Sequence, residues 1–429
     1  MCGSKKWTLS FLTLILTVSF SDCLMAQIQR LNESSVGISL LTQRELVQFD
    51  LDRVWWGQAT VDPHRDRIVH LSLDEINLYA LSTSGIITAF DNETGKKLWA
   101  TQLGRGNNIN YSPVSNSKYV FITVGMKLYS IDRLTGEIDW EVQLPNSASA
   151  SPTVDEDSIY VGTLGGRVYA WDLRKLNELS NESKLPAWRA AAIRWTYQTG
   201  GAITTPPIVT NRTLLFASQD GSLYSVTITD RQLAFQFETD APISANLAED
   251  EKSLFLASED QNLYCLNILN GIVRWRIRTS FPLVKPVTVL DNDVYLSSQK
   301  NGFLKLSAAT GQEQWWQPLA SDFISLSPTR VYASDELGNL LILSRTDGAV
   351  LSAVPLRKFQ VKLMNERTDR IYCSSESGLI MCLKQSDLPF PIRFKHQDRY
   401  PILPEIAPEA AATDAESATP PADENTEQK

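Results

Sequence analysis

The sequence predicts an all-β fold, an eight-bladed β-propeller of four-stranded antiparallel blades whose ring is closed by an N-terminal strand. Three observations carry this prediction. Apolar and polar residues alternate almost throughout, in runs such as "KYVFITV", "SLYSVT" and "NLYCLN" divided by Gly, Asn, Asp and Ser. One unit recurs: "LYALSTSGIITAFDNETGKKLW" (78–99) returns as "LYSIDRLTGEIDW" (128–140), "LYSVTITDRQLAF" (223–235), "LYCLNILNGIVRW" (263–275), "FLKLSAATGQEQW" (303–315) and "LLILSRTDGAVLS" (340–352). Finally, the positions Trp99, Trp140, Trp195, Phe235, Trp275, Trp315 and Ser352 are equivalent and lie 41, 55, 40, 40, 40 and 37 residues apart. Four-stranded repeats of about 40 residues are propeller blades.

Taken in order, residues 1–26 have a two-lysine start, an apolar run from Trp7 to Phe20 and small residues after it, as a secretory signal does. The run is short for a membrane span, which takes about 20 apolar residues. This places the chain outside the cytoplasm, in the periplasm or cell envelope. Lipid anchoring would need Cys23, but Asp22 stands where such sites favour a small neutral residue. Residues 27–45 read as a linker or short helix, and 46–395 as the propeller. Paired second and third strands start near Leu78, Tyr119, Ile159, Leu214, Leu254, Val294, Val331 and Ile371, giving eight blades.

The eighth blade lacks an aromatic fourth strand, whereas "LVQFDLDRVWWGQA" (46–59) supplies one ahead of the first blade. Closure by this segment removes an open edge; "LPFPIRFK" (388–395) is the competitor. The long interval between Trp140 and Trp195 holds an insertion at 173–194, read as helical, in blade three. Residues 396–429, acidic and rich in Pro and Ala from Pro404 onward, read as a disordered tail.

The net charge of -9 sits largely in that tail, leaving a nearly balanced body without the basic stripe of a nucleic-acid binder. Of five cysteines, Cys265, Cys373 and Cys382 lie beyond the signal. A two-residue turn at Ser377-Gly378 would set Cys373 opposite Cys382, where they either pair as a disulfide or stay reduced. His64, His70 and His396 have no metal-binding spacing, and no nucleophile elbow or phosphate loop is present.

The motif "AFDNETGKKLW" (89–99), with "SIDRLTGEIDW" (130–140) and the half-motif "AWD" (170–172), resembles the PQQ-like β-propeller repeat family. The resemblance covers residues 46–385 and implies two alternatives. Quinoprotein dehydrogenases of this family hold pyrroloquinoline quinone (PQQ) with Ca²⁺ on the propeller axis, often beside paired adjacent cysteines, which this chain lacks. BamB-like eight-bladed propellers are non-catalytic scaffolds of outer-membrane assembly. On the second reading the chain is a monomeric, cofactor-free scaffold with a protein partner in the envelope. A carbohydrate-binding propeller is a third.

Residue by residue, Asp91, Asp132 and Asp172 read as turn carboxylates. Gly95, Gly136, Gly271 and Gly311 read as turn glycines, and the aromatics as packing between blades. Trp316 and one of Trp55 and Trp56 should face outward. The segments joining one blade to the next offer Arg105, Asn107, Asn108, Asn110, Tyr111, Lys285, Asp322 and Phe323 as a face for a partner or ligand.

Overall fold

The structure is a computed structural model and describes residues 40–62, 64–104, 108–210, 212–298 and 302–395. The signal segment, Cys23, His396 and the tail lie outside the described residues. Eight four-stranded antiparallel sheets form the ring. Blade 1 comprises Ile68–Leu73, Asn77–Ser82, Ile86–Asp91 and Lys97–Gln102, from axis to rim. Blades 2 to 7 repeat this order over 114–143, 153–198, 208–238, 248–278, 287–317 and 322–354. First strands of neighbouring blades meet around the axis.

Blade 8 takes Val361–Lys362, Ile371–Ser374 and Leu379–Gln385 from the C-terminal side, and Leu51–Gln58 from the N-terminal side as its outer strand. Trp55 pairs with Cys382 and Gln58 with Leu379. The ring is closed as the sequence predicts. The competitor, 388–395, instead runs as a strap beneath the ring, bonded through Ile392 to Asp369 and through Phe394 to Arg367.

The outer strand of each blade carries a β-bulge, and the bulged residue lies just before the repeat aromatic or its equivalent. In the closing strand the bulge lies between Arg53 and Trp55, which makes Trp55 the eighth member of the series. An extra residue re-aims the side chain that follows it, here toward the next blade. The indole N–H groups of Trp55, Trp99, Trp195, Trp275 and Trp315 donate to the carbonyls of Asn92, Arg133, Ile228, Ala308 and Arg345. Each acceptor is the first residue after the third strand of the following blade.

The rings of Trp55, Trp99, Phe235, Trp275 and Trp315 lie over Gly95, Gly136, Gly271, Gly311 and Gly348. A Cβ at Gly136 would come within 2.5 Å of the Trp99 ring, so contact and positive φ both demand glycine. Trp56 and Trp316, the neighbours of buried Trp55 and Trp315, are exposed.

In blade 3 the glycine turn gives way to α1 (Leu173–Asn181), α2 (Leu185–Trp188) and a 3-10 turn (Arg189–Ala192). Asp172 caps α1 by accepting from Lys175 N–H, and pairs with Arg194 at 2.9 Å. Leu173, Leu176, Leu179 and Leu185 are buried in the core that holds Trp140, whose indole donates to Asn177 of α1 at 2.7 Å. The excursion thus replaces the missing turn as the seat for the blade 2 aromatic. A short helix over Gln43–Val47, with a Thr42–Glu45 capping box, precedes the closing strand.

One register differs from expectation. Cys373 stands opposite Met381, and Cys382 opposite Tyr372. The turn has three residues, Glu376, Ser377 and Gly378, between Ser375 and Leu379, which bond each other. A one-residue slip sends a side chain to the other sheet face. The two cysteines therefore sit in separate core clusters, both free and buried, and do not pair.

Candidate functional site

The ring offers two loop faces. The upper face combines the blade-to-blade connections with the turns between second and third strands, joined by bonds such as Gly125 N to Ile109 O and Leu164 N to Ser147 O. The lower face combines the loops between first and second strands, the turns between third and fourth strands, the insertion and the strap.

The described residues among those expected to form a ligand face lie on the upper side, but most are structural ties. Arg105 and Asn107 are outside the described residues, and Asn108 lies against Gly125. Asn110 is buried; its side-chain amide N–H groups donate to the carbonyls of Ser82 and Thr83, and its backbone carbonyl receives the His70 ring N–H at 3.0 Å. Burial holds His70 below the ordinary imidazole value. Tyr111 donates to Ala148 O at 3.1 Å, binding blade 2 to blade 3. Lys285 and Asp322 form an ion pair at 2.7 Å between the connection entering blade 6 and the first strand of blade 7.

Phe323 is a correction. It is buried beside the Tyr295 ring, 5.3 Å between centroids, because it is the second residue of the strand Asp322–Leu326, in which every residue after exposed Asp322 is buried. Beside exposed polar residues such as Asp220 and Asp322, the upper face exposes the apolar side chains of Ile109, Met126, Leu164, Leu319 and Leu337.

The turn aspartates are occupied by their own turns. Asp91 accepts from Thr94 N–H at 2.8 Å and from its hydroxyl at 2.7 Å; Asp132 accepts from the N–H groups of Thr135 and Leu134. The Thr135 N–H foremost holds the Asp132 carboxyl below its ordinary range. Calcium takes six to eight oxygen ligands, and among the described residues no three His, Cys, Asp or Glu side chains are grouped to hold a metal.

The lower face opens into an axial cavity of about 1460 Å³. Its wall mixes aliphatic side chains, among them Leu71, Leu73, Val209, Leu247, Val289 and Leu363, with polar and charged ones; the strap adds Phe394 and Lys395. Strand pairing identifies equivalent residues in the first strands: Leu73, Ser115, Val154, Val209, Glu249, Val289 and Leu326. Glu249 alone in this set is ionisable. Burial pushes its carboxyl up to about 7, against the pull of Lys395; Asp250 and Glu366 push the same way as burial. Lys395 is itself paired with Glu366.

Across the same face, Glu75 receives Arg367 at 2.9 Å and Arg133 at 3.1 Å, tying blades 8, 1 and 2 together. Sequence reading passed over the cavity, although aligning "VS", "TV", "IV" and "AE" across blades 2 to 5 would have shown the lone carboxylate.

A family described as outer membrane protein assembly factor BamB matches residues 83–189 and 235–371, more than half of the chain. The chain belongs to this family. Among solved structures, BamB from Moraxella catarrhalis superposes with a TM-score of 0.63 at 18% identity, over 79% of this chain and 99% of that one. The computationally designed Ika8 protein superposes at 0.59 with 14% identity, over 76% and 99%. At these identities both likenesses concern the fold. No curated protein matches. Among the described residues no helix is long and apolar enough to cross a membrane.

Proposed function

We propose that this member of the BamB family is a non-catalytic scaffold of the cell envelope that holds a protein partner in outer-membrane protein assembly. Family membership on a closed eight-bladed ring is the observation that carries the reading. The upper face supplies the contact: exposed apolar side chains on loops held by a rigid sheet ring suit protein association. Trp188, exposed on the blade 3 insertion, offers a second contact.

The test places a photo-crosslinking residue at Leu164, Leu319 or Trp188, with Lys97 on the rim as control, in the full chain expressed in its native cell. An envelope-located product joined to an outer-membrane assembly component, from the upper face or the insertion and not from the rim, is the expected result. Cytoplasmic fractionation, or equal labelling at Lys97, would sink the reading. On the same reading, PQQ with Ca²⁺ leaves the melting temperature unchanged, since a ligand of the native state would raise it.

A further inference from the structure

We infer that the axial cavity is a binding site for an alkylammonium group with apolar flanks, received by the Glu249 carboxylate. The equivalent strand position carries an aliphatic residue in blades 1, 3, 4, 6 and 7 and a serine in blade 2. A carboxylate placed in such a layer costs stability unless a partner compensates it. Glu249 accepts no hydrogen bond from the described residues, whereas Asp250 beside it is engaged by the N–H groups of Lys252 and Ser253.

The strap already shows that the cavity accommodates an ammonium, for Lys395 enters it and pairs with Glu366. Glu249 is left for a second cation. The remaining charged groups at the mouth are Arg212, Glu251, Asp291 and Arg367; Arg367 is committed to Glu75, and Asp291 to Arg345 at 3.2 Å. Over the whole lining, five carboxylates face three cations. Leu73, Leu247, Val289 and Leu363 provide the surface for the methylene stem and its apolar neighbours. The volume exceeds that of a single side chain and admits an extended segment.

A lysine in a peptide and a free aliphatic amine share this chemistry, and the experiment separates them. The full mature chain is titrated calorimetrically at pH 8 with N-acetyl-Leu-Lys-Leu-amide and with hexylamine. The norleucine peptide and hexanol serve as neutral isosteres. The expected result is saturable binding of at least one cationic probe, at least tenfold tighter than its isostere and lost in Glu249→Gln. Binding of the peptide alone assigns the site to lysine-bearing segments; binding of hexylamine alone assigns it to small amines.

The wild-type chain gives a second readout independent of that variant. Glu249 titrates near 7 while an alkylammonium stays charged, so affinity should fall by about tenfold or more between pH 8 and pH 5.5. Absence of saturable heat from both cationic probes, isosteres that bind equally, or affinity unchanged in a folded Glu249→Gln would each overturn the assignment.

Discussion

Gly136 shows how much one residue decides here. Its φ of +76° lies in the left-handed region, and a methyl group would meet the Trp99 ring. Gly136→Ala should therefore cost about 2–4 kcal/mol in urea unfolding, combining backbone strain with overpacking. A loss below about 0.5 kcal/mol, the range of a neutral surface change, would show that the indole is not seated there. This position was legible because turn chemistry is local: "TG" names the turn, and the tryptophan recurs on its own period. The cysteine register was not, since "SSESGL" suits a two-residue or a three-residue turn, and one residue reverses every side chain beyond it. Burial pushes the Cys373 thiol up to about 12 and raises Cys382 as well. Native protein should react slowly with a thiol reagent, and unfolded mature chain should release three equivalents without reductant, from Cys265, Cys373 and Cys382. Release of one equivalent would establish a disulfide and refute the register.

Among the elements, the closing strand joins ends of the chain more than 300 residues apart. Trp55, buried between Phe90 and Tyr372, performs for the junction of blades 8 and 1 what Trp99 performs for blades 1 and 2. Trp55→Ala should lower stability by about 3–5 kcal/mol, as truncation of a buried tryptophan does. Trp56→Ala, one residue away and exposed, should change little. Equal effects in calorimetry would contradict the bulge that aims Trp55 inward. The closing strand was legible as the aromatic missing from blade 8. The strap was less so: "LPFPIRFK" reads as a strand, but its prolines remove ladder donors, and Trp55 already fills the place it would need. The insertion announced its position by a stretched repeat. That α1 would replace a glycine turn by presenting Asn177 to Trp140 depends on tertiary packing, which no local pattern contains.

At the scale of the whole molecule, a propeller brings one residue from each blade to the axis, and those residues lie about 40 positions apart in sequence. A single unusual side chain among them is invisible to local pattern reading and plain once the ring is closed. Glu249 is that residue, and its energetic signature has a definite sign. Its folded pKa, about 7, stands above the ordinary 4.5, so between these values the native state binds more protons than the unfolded chain. The contribution is fully present below about 4.5 and is lost as pH rises through about 7. Glu249→Gln, neutral throughout, removes this dependence. The variant should melt close to wild type at pH 4.5 and above it at pH 8, by roughly 1–3 kcal/mol once the shift is discounted for solvent reaching an open cavity. Glu93 and Asp369, also raised by burial, titrate in both proteins, so the difference between the two melting curves isolates Glu249. A difference independent of pH would mean that the carboxyl is solvated as on an open surface. A wild type more stable than the variant at pH 8 would mean that a cation of the chain itself satisfies the carboxylate, with Lys395 the one placed to do so.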